Sequence, residues 1–291
     1  MTILAQLGID IVKLWNTYAS IYLTGMWKTV SLAVICTLVG CLIGFLCGVL
    51  QTIPVGKKDN ALKKGLLGLL RGIIRAYVEI FRGTPMILQA VFVYYGLPYF
   101  TNNAVQWQSV WLAAFVVVAV NTGAYMAETV RGGILSVDPG QTEGAKAIGM
   151  THFQTMSYVV LPQALRNIMP QIGNNLIINI KDTSIMFIIG FSEFFAEHRA
   201  IVGTTNKYFP SATIEMGGYL IMTVVCSIIL RQVEKKMDGD DSYALVQADP
   251  LTMTAGTYNY SGSTADRQQL AQEKAAREAR GNRNQSTRGD R

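Results

Sequence analysis

The sequence predicts an all-α membrane protein, a polytopic chain with five transmembrane helices, from three observations. Half of the 291 residues are apolar and only 15% are charged, whereas about 25% of a typical soluble domain is charged. The charged residues gather in residues 54–84, in residues 131–166 and after residue 230, which leaves long stretches almost without charge. The positive charges flank these apolar stretches instead of forming one basic face, so the net charge of +6 argues against a nucleic-acid partner.

Five apolar segments are predicted to cross the membrane, because a spanning helix needs about 20 mostly apolar residues. The first is the clearest, since it holds 22 residues and no charge. The second is shorter and ends in tyrosines, where an aromatic belt is expected at the membrane surface. In chain order the five segments are residues 29–50, 84–100, 109–127, 168–191 and 213–230.

The distribution of Lys and Arg residues predicts which side of the membrane each connection faces. Leaving out the tail beyond Asp238, the connections 54–84 and 131–166 and the end of the last span carry thirteen Lys and Arg residues. The opposite side, which consists of the N-terminal stretch and the loops 101–108 and 192–212, carries three. Because positively charged loops stay in the cytoplasm, the N-terminus is predicted outside and the C-terminus inside the cytoplasmic membrane.

The chain is predicted to consist of one membrane domain, two terminal segments and one surface helix. Residues 1–21 form an N-terminal extracytoplasmic segment, and the transmembrane domain covers residues 22–235. Residues 236–291 form a polar tail that is predicted to be mostly disordered, with room for a short helix at 265–280. Within the membrane domain, apolar and basic residues of 65–82 recur at helical spacing, which is typical of an amphipathic helix lying on the cytoplasmic surface.

The connection between the third and fourth spans, residues 143–162, is the most distinctive motif. It reads EGAKAIGMTHFQTMSYVVLP, with a glycine in the middle and a proline at its end. Ala145, Ile148 and Gly149 follow i, i+3, i+4 spacing, so they are predicted to share one shallow helical face that fits a cleft in another protein. An ordinary amphipathic connector is the alternative interpretation.

This loop resembles the EAA loop of ATP-binding-cassette (ABC) importer permeases. The matching positions are Glu143, Ala145, Gly149, Leu161 and Pro162. The chain departs from the family pattern at Gly144, where alanine is usual, and at Val159, where isoleucine is usual. Residues 77–98, 121–141 and 161–193 resemble the polar amino-acid branch of these permeases, which includes the histidine and glutamine permeases.

The resemblance implies the type I fold of ABC importer permeases and a transport subunit rather than an enzyme. Such a subunit moves polar amino acids across the cytoplasmic membrane of a prokaryote by alternating access. The implied partners are a cytoplasmic ATPase dimer that docks on the 143–162 loop, a second permease subunit, identical or homologous, and an extracytoplasmic solute-binding protein. ATP and Mg are expected in the ATPase, and no cofactor is expected on this chain, whose sequence has no G-x-x-x-x-G-K-[ST] phosphate loop.

The fourth span carries the candidate substrate pathway. Asn175, Asn179 and Asp182 follow i, i+4, i+7 spacing and are predicted to share one helix face. Asp182 is predicted about 18 Å along the helix from Pro170, near mid-bilayer, at a rise of about 1.5 Å per residue. A charge at that depth costs on the order of 3 kcal/mol, so a functional role is expected. The remaining candidates are Lys181, Thr183 and, in the third span, Asn121.

The residues alone leave alternatives open. The alternative to a functional role is that Lys181 and Asp182 neutralise charges on neighbouring helices. An ion-driven secondary transporter would use Asp182 as a proton or sodium site, although five unrepeated spans argue against it. A membrane enzyme would need a cluster of His, Asp or Cys residues at one depth, and no such cluster stands out in the sequence. The repeated E-x-x-R-G at 79–83 and 128–132 is interpreted as coincidence or as simple helix-end anchoring.

Overall fold

The computed structural model describes residues 3–56 and 60–238, and all regular secondary structure in this part of the chain is helical. The chain divides into two units, Met1–Gly239 and Asp240–Arg291. The predictions of a disordered tail and of a helix at 265–280 lie outside the described residues. The α-helices are α1 (Ile3–Thr52), α2 (Ala61–Gly83), α3 (Met86–Phe100), α4 (Val110–Leu135), α5 (Pro139–Ala147), α6 (His152–Gln154), α7 (Leu161–Asp182), α8 (Phe194–Thr205) and α9 (Tyr208–Asp238).

The helices match the predicted spans unevenly. Three are long and apolar enough to cross a membrane, namely α1, α4 and α9, whereas α3 is apolar but has only 15 residues. The predicted fourth span, 168–191, is not a single α-helix, because α7 ends at Asp182 and a 3₁₀-helix continues from Thr183 to Ile189. The all-α class is confirmed for the described residues, while the number of five spans stays a prediction.

The first helix is much longer than the predicted first span. α1 contains 50 residues, which corresponds to about 75 Å, more than twice the hydrocarbon thickness of about 30 Å. From Ile3 onward, the predicted N-terminal segment 1–21 continues without a break into the predicted span 29–50. The amphipathic helix predicted at 65–82 is observed as α2, and the side chain of Asn60 caps it by accepting a hydrogen bond from the Leu62 N–H.

A row of glycines brings α1 into close contact with α4. Gly40, Gly44 and Gly48 recur every four residues on the buried face of α1. A Cβ added at Gly40 would lie 2.7 Å from the Thr122 Cβ, and one at Gly48 would lie 2.7 Å from the Val130 Cβ. Lipid chains are as apolar as the side chains they contact, so helices in a membrane associate largely through such close packing.

The later helices pack around this pair. α7 contacts both α1 and α4, and α8 and α9 contact α1 and each other. Tyr22 of α1 and Phe194 of α8 are fully buried where α1 and α8 meet. Their rings pack edge to face, with 6.1 Å between the ring centroids. Because α7 lies against both members of the α1–α4 pair, its polar residues face partners that are distant in sequence.

Candidate functional site

A group of three polar side chains lies where α1, α4 and α7 meet. The Asn179 Nδ2 donates hydrogen bonds to the Thr37 Oγ1 at 2.8 Å and to the Thr122 Oγ1 at 3.0 Å. The Thr122 hydroxyl in turn donates to the Asn179 Oδ1 at 3.2 Å. All three side chains are buried, so each satisfies the hydrogen-bonding needs of the others. Sequence reasoning identified Asn179 but missed the two threonines: Thr37 is a single hydroxyl in an apolar run, and Thr122 directly follows the candidate Asn121.

The other predicted asparagines have different partners. Asn175 is buried, and its Nδ2 donates to the Gln171 carbonyl of its own helix at 2.9 Å. Asn121 of α4 donates to the Gln89 Oε1 at 2.9 Å and to the Phe81 carbonyl at 3.1 Å. These bonds tie α4 to the start of α3 and the end of α2, and among the described residues no hydrogen bond joins Asn121 to Asn179. Asn179 and Asn121 therefore belong to two separate hydrogen-bonded groups, and Asn175 belongs to neither.

Asp182 lies at the point where α7 changes from α to 3₁₀ geometry. Asp182 is half-buried and Lys181 is exposed. Thr183 is buried, and its hydroxyl donates a hydrogen bond to the Ile180 carbonyl at 2.9 Å. Within residues 3–56 and 60–238, neither Asp182 nor Lys181 forms an ion pair. A carboxylate at a helix C-terminus opposes the helix dipole, so this position does not stabilise α7.

The segment between α4 and α7, residues 139–162, is built as a helix, a tight turn and a second helix. Asp138 caps α5 by accepting a hydrogen bond from the Gly140 N–H at 2.7 Å. The turn is made by Gly149 at φ 84°, with its N–H bonded to the Lys146 carbonyl and the next N–H bonded to the Ala145 carbonyl. This is the Schellman arrangement, which favours glycine because other residues are strained at positive φ. We refer to residues 139–162 as the 139–162 segment.

Large apolar side chains of the 139–162 segment face outward. Ile148, Phe153 and Tyr158 are exposed by 80%, 78% and 74%. Ala145, by contrast, is buried at 6% exposure, so it does not share an exposed face with Ile148 and Gly149 as the spacing had predicted. Glu143 and Pro162 are exposed and Leu161 is half-buried. Of the exposed apolar residues, Ile148 was on the predicted face, whereas Phe153 and Tyr158 were not singled out from the sequence.

A buried carboxylate that sequence reasoning missed joins α1, α8 and α9. Glu193 is fully buried and accepts hydrogen bonds from the Thr29 hydroxyl at 3.2 Å and from the Tyr219 hydroxyl at 2.9 Å. It also caps α8 through the backbone N–H groups of Phe195 and Ala196. Burial raises the pKa of Glu193, and the four hydrogen bonds oppose that shift. The only sequence signal was an acidic residue at the edge of an apolar run.

A second buried polar group lies beside it. The His198 Nδ1 and the Tyr22 hydroxyl both contact the Ser211 hydroxyl, at 2.8 and 2.6 Å. The His198 Nε2 is 3.5 Å from a carboxylate oxygen of Glu215. Burial, and secondarily the charge of Arg199, lowers the pKa of His198. These contacts fix α8 against both α1 and α9.

These features define a class of protein: a membrane subunit that is all-α in its described part, with polar groups between its helices and exposed apolar side chains between α4 and α7. The chain belongs to the family described as binding-protein-dependent transport system inner membrane component, whose model matches residues 63–239. The prediction of an ABC importer permease is thereby confirmed, and the secondary-transporter and membrane-enzyme interpretations are excluded. A multi-pass inner-membrane subunit of this family works with an ATPase and a substrate-binding protein.

The relatives agree with this assignment. The glutamine transport system permease protein GlnP of Escherichia coli K12 is 36% identical over 184 residues, which cover 59% of this chain and 83% of that protein. The probable amino-acid permease protein YxeN of Bacillus subtilis 168 is 33% identical over 174 residues, and the alignment covers 60% of this chain and 77% of that protein.

Solved structures confirm the type I permease fold. The crystal structure of an amino acid ABC transporter with histidines aligns with a TM-score of 0.66 and 31% identity, over 76% of this chain and 96% of that one. A chain of the inward-facing MetNI methionine ABC transporter aligns with a TM-score of 0.61 over 76% of this chain and 98% of that one. The second has 20% identity and therefore bears on the fold alone.

Proposed function

We propose that this chain is the permease subunit of an ABC importer for polar amino acids. The observation that carries the proposal is the 36% identity to a glutamine permease over 83% of its length. Glutamine is accordingly the first substrate to test, with histidine as the second because the aligned amino acid transporter was crystallised with histidines. The importer works by alternating access, and the partner ATPase supplies the energy from ATP and Mg.

The ATPase docks on the 139–162 segment. Ile148, Phe153 and Tyr158 are each about three-quarters exposed, and exposed apolar residues clustered on one segment are typical of a protein interface. The Schellman turn at Gly149 holds the end of α5 in a fixed relation to α6, so the segment moves as one unit. Movement of the ATPase dimer is thereby transmitted to α7, which begins at Leu161.

Asp182 holds the substrate in the proposed mechanism. Its carboxylate forms no ion pair in the described part of the chain and lies next to the break between α7 and the 3₁₀-helix. A carboxylate in this position can accept hydrogen bonds from a substrate ammonium group. Asn179 and Asn175 position α7 through the contacts described above, and Lys181, Thr183 and Asn121 complete the proposed pathway as flanking residues.

Two further parts of the proposal concern assembly and orientation. A second permease subunit, identical or homologous, is needed because one such chain is too small to enclose a substrate pathway. An extracytoplasmic solute-binding protein delivers the substrate. The cytoplasmic membrane of a prokaryote is the proposed location, with the N-terminus outside and the C-terminus inside. The thirteen-to-three bias of Lys and Arg residues supports this orientation.

Uptake into proteoliposomes tests the substrate proposal. The transporter is reconstituted with its ATPase and binding protein, and uptake of labelled glutamine is challenged with unlabelled histidine, arginine, glutamate and leucine. We expect competition by polar amino acids but not by leucine.

In the same assay Asp182→Asn is expected to abolish most uptake, while co-purification of the ATPase is retained. Asp182→Glu is expected to retain part of the uptake. Unchanged uptake by well-assembled Asp182→Asn protein would refute the role of this residue.

A cysteine at position 242 tests the orientation. Ser242→Cys is expected to react with an impermeant thiol reagent only after the cells are permeabilised. The unsubstituted chain is the control, because its own four cysteines, Cys36, Cys41, Cys47 and Cys226, set the background of labelling. Labelling above that background in intact cells would place the C-terminus outside and overturn the proposed orientation.

A further inference from the structure

The two E-x-x-R-G repeats of the sequence line the same cavity. A cavity of about 330 Å³ lies between the end of α1, one face of α2 and the end of α4. Glu79 and Arg82 of the first repeat and Glu128 and Arg131 of the second both border it, together with Arg71 and Arg75. Helix-end anchoring explains each repeat separately, but it does not explain why both meet at one cavity. We refer to this space as the arginine cavity.

The arginine cavity has an excess of positive charge that the chain leaves available. Four guanidinium groups face two carboxylates, and Arg131 is already paired with Glu128 at 2.7 and 3.3 Å. The Arg82 guanidinium lies 5.5 Å from the centre of the Tyr125 ring. Among the described residues, Arg75 and Arg82 form no ion pair. The cavity therefore favours an anion.

Unsatisfied donors in the cavity wall indicate the kind of anion. The Arg71 Nε and the Gln51 Nε2 are buried and have no hydrogen-bond acceptor in the described part of the chain, and both residues line the cavity. A different nitrogen of Arg71 donates to the Ile53 carbonyl, which fixes the guanidinium in place. Leaving a buried N–H unpaired is unfavourable. A ligand with several acceptor oxygens would satisfy both donors, and arginine forks match the oxygen geometry of phosphate.

The surroundings of the cavity favour a site near a membrane surface. Leu66, Leu69 and Ile73 of α2 are each more than half exposed, and their helical positions place them roughly opposite Arg71 and Arg75. A helix with an exposed apolar side and a basic side is typical of the interface between lipid and water. Phosphate groups are abundant there as the headgroups of anionic phospholipids, which attract basic residues.

We propose that the arginine cavity is a binding site for a phosphate group, supplied either by an anionic phospholipid headgroup or by a free phosphate. Arg75 and Arg82 provide the charge, and Arg71 and Gln51 donate hydrogen bonds to the phosphate oxygens. Glu79 opposes binding and so limits the affinity. The cavity shares no lining residue with the proposed substrate pathway or with the 139–162 segment, and the proposal does not depend on which amino acid is transported.

The experiment measures ligand binding to the purified full-length chain in detergent micelles. One arm adds dioleoyl phosphatidylglycerol, with dioleoyl phosphatidylcholine as the uncharged reference lipid. The second arm adds sodium phosphate, with sodium chloride at equal ionic strength as the reference. Native mass spectrometry detects the bound lipid, and a shift of the thermal unfolding temperature detects either ligand. Three variants are compared: Arg75→Gln, Glu79→Gln and, as a control, Arg231→Gln, an exposed arginine of α9 outside the cavity.

We expect Arg75→Gln to weaken binding roughly five- to tenfold, because a charge-assisted contact is lost. Glu79→Gln is expected to strengthen binding several-fold, and Arg231→Gln to leave it unchanged. If these three changes in binding are measured with phosphatidylglycerol, the site is assigned to a lipid headgroup. If they are measured with sodium phosphate alone, the site is assigned to a free phosphate. If Arg75→Gln does not fold, the gain in Glu79→Gln still decides, since misfolding does not strengthen binding. Equal binding by Arg75→Gln, Glu79→Gln and the unsubstituted chain, or equal weakening by Arg231→Gln, overturns the proposal.

Discussion

The α1–α4 contact and the 139–162 segment use small and apolar residues in opposite ways. Along α1, glycines bring two backbones together, and a Cβ at Gly40 or Gly48 would meet α4 at 2.7 Å. In the 139–162 segment a Cβ added at Gly149 would meet nothing within 4 Å, and the neighbouring large side chains of Ile148 and Phe153 are exposed. The first region is filled by contacts within this chain, whereas the second leaves apolar side chains exposed and is the proposed docking site of the ATPase. Substitutions should therefore affect folding in the first region and assembly in the second.

The largest effect on the stability of the chain is expected at Gly44. A Cβ there would lie 2.6 Å from the Met126 carbonyl carbon, so Gly44→Leu must force α1 away from α4. We expect a loss of about 3 kcal/mol or more in the free energy of unfolding, because overpacking a close contact is costly. Gly8→Leu is the matched control, since nothing lies within 4 Å of its added Cβ on the same helix. The comparison uses the yield of monodisperse protein and the thermal unfolding temperature, and equal behaviour of the two variants would contradict the close-packing argument.

A smaller loss of stability is expected at Asn179. Asn179→Leu removes its hydrogen bonds to Thr37 and Thr122 and leaves the buried Thr122 hydroxyl without a side-chain partner, at a cost of about 1–3 kcal/mol. Asn175→Leu is the matched control, because Asn175 is also buried but donates only to a carbonyl of its own helix. Thermal unfolding in detergent should show the larger decrease for Asn179→Leu. An equal decrease would mean that the contact between helices contributes nothing beyond the burial of an amide.

In the 139–162 segment the expected change in chain stability is small but the loss of assembly is large. Phe153→Ser should change the free energy of unfolding by at most about 0.5 kcal/mol, as is usual for exposed positions, while most of the ATPase is lost on co-purification. Tyr99→Ser, at an exposed aromatic position of α3, should retain the ATPase. Normal ATPase recovery with Phe153→Ser would show that this surface is not the docking site.

Gly149 needs a separate comparison, because both backbone strain and bulk act there. Its φ of 84° disfavours most side chains, and the cost is about 1–2 kcal/mol for residues other than Gly, Asn or Asp. Gly149→Asn should retain the turn, and Gly149→Leu should strain it. Gly144→Leu adds bulk to the exposed side of α5 without strain, since Gly144 is helical and its Cβ would have open space around it. Loss of the ATPase with Gly144→Leu but not with Gly149→Asn would identify close approach as the cause.

The smallest effect is the pH dependence that His198 contributes. Its pKa in the fold lies below the ordinary value of about 6.5 because it is buried. Between about pH 6.5 and the lower pKa of His198 in the fold, the unfolded chain binds a proton at this histidine that the folded chain does not. The free energy of unfolding therefore falls as the pH falls through this range. Glu193 acts in the opposite direction, because its raised pKa makes the folded chain bind the proton more readily. The His198→Gln variant isolates the histidine: its unfolding temperature should decrease less than that of the unsubstituted chain between about pH 6.5 and pH 5.

The sequence by itself determined the class of protein and the local structure of the segment that is proposed to face the ATPase. Long apolar runs together with few charged residues argue against a soluble fold, because a soluble protein of this size needs more polar groups to cover its surface. The motif from Glu143 to Pro162 was also readable, since its helix, its glycine turn and its second helix are set by neighbouring residues. Local chemistry decides such features, as the cap at Asp138 and the turn at Gly149 demonstrate.

Only the tertiary structure decided which polar residues meet. Helical spacing placed Asn175, Asn179 and Asp182 on one face of α7, but it could not reveal that Asn179 bonds to Thr37, which lies 142 positions away in the sequence. Nor could it bring both E-x-x-R-G repeats to one cavity, or surround Glu193 with groups from α1 and α9. The physical reason is that helical periodicity fixes directions around one axis, whereas contacts depend on the distance and rotation between helices. Those are set by packing, here by the glycines that let α1 approach α4.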